Sequence, residues 1–115
     1  MGKISDDECY TAIENVLNIL GGKWAFLVIG HLNKGAQRFN QLQRNLNTIS
    51  TQSLTSTLRH LEKNEIVHRK AFPTVPVTVE YSLTEKGKDF QTILKEMRDW
   101  SQKWAQQNKA SHSSK

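Results

Sequence analysis

The stretch that most narrows the fold is residues 49–61, Ile49-Ser50-Thr51-Gln52-Ser53-Leu54-Thr55-Ser56-Thr57-Leu58-Arg59-His60-Leu61. Ser50 is a good helix N-cap, and Leu54, Leu58 and Leu61 follow at i, i+4 and i+7, the apolar stripe of an amphipathic helix. The other face carries Thr51, Gln52, Ser53, Thr55, Ser56 and Arg59, with no carboxylate before Glu62. Helix propensity alone favours Glu, Lys and Ala at such positions, so hydroxyls and an amide there need another reason. A DNA major groove supplies one, since Gln reads adenine, Arg reads guanine and hydroxyls reach base edges or phosphates. A merely solvated face is the competing reading, and this helix alone does not separate the two.

Its neighbours do. Asn40 can cap a short helix over residues 41–46 with Leu42 and Leu46 inward, and Asn47-Thr48-Ile49 makes a tight turn into Ser50. Two helices joined in this way, the second longer, form a helix-turn-helix. Residues 67–72 and 77–83 are β-rich runs around a loop holding Pro73 and Pro76. In the second run Val77, Val79, Tyr81 and Leu83 alternate with Thr78, Glu80 and Ser82. A hairpin after the second helix is a wing, and Arg38-Phe39 is expected to add a short strand to its sheet, with Phe39 inward.

Charge converges on the same segment. Residues 34–70 hold Lys34, Arg38, Arg44, Arg59, Lys63, Arg69 and Lys70 against Glu62 and Glu65, a surplus of five that equals the +5 of the whole 115-residue chain. A nucleic-acid surface needs positive charge concentrated in this way. The residues expected to read base edges are Thr51, Gln52, Ser53 and Ser56, with Arg59. Arg38, Arg44, Arg69 and Lys70 are expected to meet phosphates.

The flanks point to pairing. Tyr10, Ile13, Leu17 and Leu20 keep helical spacing up to Gly21-Gly22, and residues 23–32 are apolar nearly all round, as in a core helix. Thr84 caps a long helix bearing Phe90, Ile93, Leu94, Met97, Trp100 and Trp104. One modest core hardly needs two tryptophans so far along it, so a two-fold homodimer is expected, with Tyr10, Ile13, Leu17, Ile93, Met97, Trp100 and Trp104 at its interface. Two recognition helices about 34 Å apart would read a pseudo-palindromic operator in double-stranded DNA. The expected fold is mainly α with a small antiparallel β-sheet, a winged helix-turn-helix with N- and C-terminal dimerisation helices. It divides into an arm (1–8), the winged-helix domain (9–105) and a polar, disordered tail (106–115).

Enzyme chemistry finds little support. His31, His60, His68 and His112 show no metal spacing with Cys9 or the carboxylates, and no catalytic triad or carboxylate pair stands out, so no catalytic residue, metal or cofactor is expected. Gly21-Gly22-Lys23 is no P-loop, because Leu17 stands where a glycine is needed and Trp24 where Ser or Thr is needed. The acidic start has no signal-peptide pattern, and the longest apolar run, residues 24–29, is too short to span a bilayer, so no membrane partner and a cytoplasmic site are expected.

From Cys9 to about Trp104 the chain resembles the HxlR-type winged-helix transcriptional regulators, relatives of the MarR group. The resemblance is carried by Gly21-Gly22-Lys23-Trp24, Arg38-Phe39-Asn40-Gln41-Leu42, Ile49-Ser50, Leu54, Leu58, Leu61-Glu62 and the run from Val79-Glu80-Tyr81 to Glu85-Lys86-Gly87. It implies bacterial, dimeric DNA-binding proteins, most often repressors. Cys9 is similar in position to the lone N-terminal cysteine with which several members sense oxidants, quinones or aldehydes. From the residues themselves an inert thiol is the better reading, because Asp6, Asp7 and Glu8 beside it work against a thiolate. Two departures stand out. Pro76-Val77-Thr78 lacks the basic residue common at the second wing strand, and Asn64-Glu65 replaces the glycine common after the recognition helix, where Asn64 is expected to tolerate positive φ. The alternatives are a winged-helix module that binds protein and a regulator controlled by a non-covalent small ligand.

Overall fold

The computed structural model describes residues 6–113, with side chains described over 6–107. The elements in chain order are α1 (Asp6–Leu20), α2 (Lys23–Leu32), β1 (Gln37–Arg38), α3 (Phe39–Leu46), α4 (Thr51–Lys63), β2 (Val67–Phe72), β3 (Thr78–Leu83) and α5 (Glu85–Ser113). β3 lies between β1 and β2 in an antiparallel three-stranded sheet. The fold class is the expected one, mostly helical with a small winged sheet.

The core forms where the apolar stripes converge. Leu54, Leu58 and Leu61 of α4 meet Leu42 and Leu46 of α3, Val28 and Ile29 of α2, and Ile66, Val67 and Leu83 of the sheet, all buried. α2 is the central helix, as its composition requires, although Phe26 on one side remains exposed. α5 contributes Phe90 and Leu94 before its further apolar residues leave the core. Among the described residues no single helix is long and apolar enough to cross a membrane.

Local chemistry fixes the helix ends. Gly21 and Gly22 take φ of 58° and 149°, which ends α1 and turns the chain into α2. The Ser50 hydroxyl accepts from the Ser53 N–H at 3.0 Å, and the Thr84 hydroxyl accepts from the Gly87 N–H at 3.0 Å. A Cβ on Gly87 would overlap the Ile66 carbonyl oxygen, so only glycine allows α5 to start this close to the end of α4.

Several boundaries differ from expectation. α3 starts at Phe39 rather than Gln41, because the Gln41 side chain reaches back to accept from the Arg38 N–H at 2.9 Å, and Asn40 is helical. The first strand is therefore Gln37–Arg38, and Phe39 is a half-buried helix residue. α1 begins at Asp6, so residues 6–8 of the expected arm belong to the helix, and Cys9 lies within it. Asp6, Asp7 and Glu8 complement the positive end of the helix dipole there. Of the arm, residues 1–5 lie outside the described residues. The second wing strand starts at Thr78, with Val77 exposed in the loop. After α4 the positive φ falls on Glu65 (61°), not Asn64 (−88°). The Ile66 N–H bonds the Leu61 carbonyl at 2.9 Å and the Glu65 N–H bonds the Glu62 carbonyl at 3.0 Å, which is the Schellman pattern. α5 runs to Ser113, so residues 106–113 continue a helix where a disordered tail was expected. Gln106, Gln107, Lys109 and Ala110 are good helix formers.

Candidate nucleic-acid interface

α4 is held rigidly from behind. The Gln43 amide donates to the Thr51 hydroxyl at 3.1 Å and to the Ile49 carbonyl at 3.5 Å, which locks the turn between α3 and α4, with Asn47 at φ 63°. Gln37 donates to the His31 carbonyl and accepts from Asn45, both at 2.8 Å, which ties α2, β1 and α3 together. The pair of helices is thereby fixed to the core.

The outward face of α4 divides in two. Gln52, Ser56 and Arg59 are exposed and Ser53 half-buried, and among the described residues none of the four side chains has a hydrogen-bond or ion-pair partner. Thr51 and Thr55 are already engaged, Thr51 by Gln43 and Thr55 through its bond to the Thr51 carbonyl at 2.8 Å. Thr51 therefore sits on the flank towards α3, off the centre of the face. Lys63 was missed from sequence, yet it continues the row Gln52, Ser56, Arg59 at helical spacing and is exposed. That spacing was the available signal.

Beside α4, Asn40, Arg44 and Asn47 line a polar hollow closed by Gln43 and Ile49. Asn40 and Asn47 were not anticipated there, and their amides add neutral donors beside the Arg44 guanidinium. On the wing, strand pleating separates two residues expected to act together. Arg69 pairs with Tyr81 and shares the face of Val67 and Leu83, whereas Lys70 pairs with Glu80 on the opposite face. Arg38 also pairs with Glu80, so Arg38 and Lys70 flank that carboxylate in one cross-strand row. The Lys70 ammonium stands 5.1 Å from the Phe72 ring centroid.

None of the basic residues of the 34–70 segment enters an ion pair among the described residues; the three ion pairs found there lie on α5. The basic side chains of this segment are therefore not tied up in close ion pairs, although Glu80 stands beside Arg38 and Lys70. The wing tip is uncharged, with Val75 fully exposed.

The remaining predicted residues lie elsewhere. Tyr10, Ile13 and Leu17 are exposed on α1, which has no buried residue, and Ile93, Met97, Trp100 and Trp104 are exposed on α5. Phe26 of α2 is a further exposed apolar residue that sequence reasoning had placed in the core. Cys9 is an exposed free thiol near the start of α1. No group of His, Cys, Asp and Glu among the described residues could hold a metal ion.

Comparison with known proteins agrees with this geometry. The profile of the HxlR-like helix-turn-helix family matches residues 19–109. The HTH-type transcriptional regulator YdeP of Bacillus subtilis is 39% identical over 100 residues, covering 87% of this chain and 78% of YdeP. The structure of the redox regulator HypR in its oxidised form superposes with a TM-score of 0.73 at 39% identity, over 80% of this chain and 95% of HypR. The reduced form of the transcriptional regulator YodB from B. subtilis gives 0.71 at 35% identity, over 86% of this chain and 92% of YodB. With the profile spanning most of its length and relatives matched over most of theirs, the chain belongs to the HxlR-like helix-turn-helix family of DNA-binding transcriptional regulators.

Proposed function

We propose that the protein is a homodimeric, sequence-specific repressor that docks α4 in the major groove of a pseudo-palindromic operator and is released when an oxidant or electrophile reacts at Cys9. The observation that carries the DNA reading is the outward face of α4. Gln52, Ser53, Ser56 and Arg59 present unpartnered donors and acceptors on a helix held rigidly at both ends, a geometry suited to base edges. Arg38, Arg44, Arg69 and Lys70 meet phosphates around it, and Thr51 reaches a base from the edge of the face. The exposed apolar residues of α1 and α5 pair with those of a second copy, since contiguous aromatic and aliphatic surface of this kind marks an interface.

The release step rests on relatives. HypR is a redox regulator solved in oxidised and reduced forms, and YodB has been solved diamide-treated and quinone-bound. In this chain the reacting group is Cys9. Two Cys9 thiols, one per subunit, pass two electrons and two protons to diamide and form an intersubunit disulfide, or one thiolate adds to an electrophilic carbon of a quinone.

Fluorescence anisotropy on the DNA upstream of its own gene and on random DNA, before and after diamide, tests this function. Preference for the upstream DNA, lost with diamide and restored by dithiothreitol, is expected, and Cys9→Ser should keep the preference and lose the response. Equal affinity for both DNAs refutes the self-directed repressor. A Cys9→Ser protein that still responds refutes the sensor.

A further inference from the structure

A helix with its side chains is about 10–12 Å across and the major groove of B-DNA about 12 Å wide, so a helix that reads base edges has a phosphate backbone along each flank. One flank of α4 is equipped for this. Thr51 is bonded to Gln43, and Gln43 closes the hollow that Asn40, Arg44 and Asn47 line. The opposite flank carries Ser53, Thr57 and His60 by helical spacing, with no lysine or arginine of α4 turned that way.

The corner between α1 and α2 stands on that second side. Gly21, Gly22 and Trp24 line a hollow together with Ser56, Thr57 and His60, and Ser56 belongs to the outward row, so the corner rises to the level of the face. His60 Nε2 lies 2.6 Å from the Asn18 carbonyl oxygen; a carbonyl only accepts, so this nitrogen donates and braces the corner against α4. A Cβ on Gly22 would meet nothing within 4 Å, so the turn is open to the outside. Next in the chain is Lys23, the one lysine or arginine between Lys3 and Lys34. It is exposed and enters none of the ion pairs found among the described residues. Its ammonium stands 4.8 Å from the centroid of the Trp24 ring, which packs against the core. That contact restrains a side chain rich in rotamers, so the charge is presented at one place beside α4.

We propose that Lys23 holds a phosphate of the operator strand opposite the one met by Arg44, so that the recognition helix is clamped in the major groove from both flanks. The contact carries no base preference. It sets the depth and tilt of α4, on which the reach of Gln52, Ser56 and Arg59 to base edges depends. An ammonium has three N–H donors, and the Trp24 ring occupies one side of it, so donors remain for a phosphate oxygen. This contact rests on the DNA reading in Proposed function and extends it to a residue outside the basic 34–70 segment.

Salt titrations of affinity for operator and random DNA, by fluorescence anisotropy, test it with Lys23→Gln, Lys23→Arg and Lys88→Gln. Lys88 lies by the far end of α2, beside Leu32 and Asn33, and its replacement removes the same unit of charge. Lys23→Gln should flatten the log–log salt slope by about 0.9 for each bound subunit, a loss of about fivefold to tenfold per subunit at about 0.1 M salt. The loss should be equal on both DNAs, with Lys23→Arg and Lys88→Gln keeping the wild-type slope. Phosphate ethylation of the operator locates the contact: Lys23→Gln should relieve interference at one phosphate per half-site, on the strand opposite to that relieved by Arg44→Gln. An unchanged slope in Lys23→Gln, or an equal loss in Lys88→Gln, overturns the contact. Relief on the same strand as Arg44→Gln overturns the two-flank clamp. A wild-type protein with no affinity for either DNA refutes the DNA reading and this contact together, whereas one that binds and is indifferent to Lys23→Gln refutes this contact alone.

Discussion

Glu65 is the position where the structure makes its most exposed claim about stability, because the chain leaves the recognition helix through a left-handed residue that is not glycine. At φ 61° an L side chain costs about 1–2 kcal/mol relative to a relaxed backbone. Glu65→Gly removes that strain, and the looser unfolded chain takes back about 0.4–1 kcal/mol. The net gain is about 0.5–1 kcal/mol, or a rise in Tm of about 2–4 °C for a domain of this size. Glu65→Gln serves as control, since it keeps the strain and removes only the charge. Urea unfolding followed by circular dichroism should therefore rank Glu65→Gly above the wild type and leave Glu65→Gln within about 0.5 kcal/mol of it, with equal m-values. Both variants should bind random DNA more tightly at low salt, because each removes one of the two carboxylates from the basic 34–70 segment, and that gain should fade as salt shortens the screening length. A Glu65→Gly protein no more stable than Glu65→Gln would refute the strain argument.

Gln52→Ala should leave stability unchanged, since the side chain has no internal partner, yet reduce operator preference over random DNA by about 1–3 kcal/mol; anisotropy on both DNAs measures it. Gly87→Ala drives a methyl into the Ile66 carbonyl and should destabilise the fold by about 1–3 kcal/mol in urea unfolding. Trp100→Ala with Trp104→Ala should weaken the proposed dimer by at least about 2 kcal/mol, roughly thirtyfold, in sedimentation equilibrium, while the melting of each monomer's core is unaffected.

The parts of the fold visible in sequence are those decided locally. Ser50 caps α4 through its neighbour Ser53, and the Leu54, Leu58, Leu61 stripe buries as its spacing requires. The errors arise where a distant contact decides. α3 gains two residues at its start because Arg38 is held extended by pairing with Glu80 while Gln41 caps behind it. The left-handed residue moves from Asn64 to Glu65 because Ile66, fully buried, must occupy the position that bonds back to Leu61. Nothing local signals that His60 reaches Asn18, 42 residues away. Two features of the candidate interface were legible and overlooked. Lys63 follows Arg59 by four, and Arg69 and Lys70, as neighbours in a strand, face opposite ways.

Methylation interference on the operator tests the central claim most directly. Dimethyl sulfate modifies guanine N7 in the major groove and adenine N3 in the minor groove. A dimer with one α4 in each major groove predicts that N7 methylation blocks binding in two clusters related by a dyad, with centres about 10 base pairs apart. Interference at adenine N3 alone, or a single cluster, would contradict it.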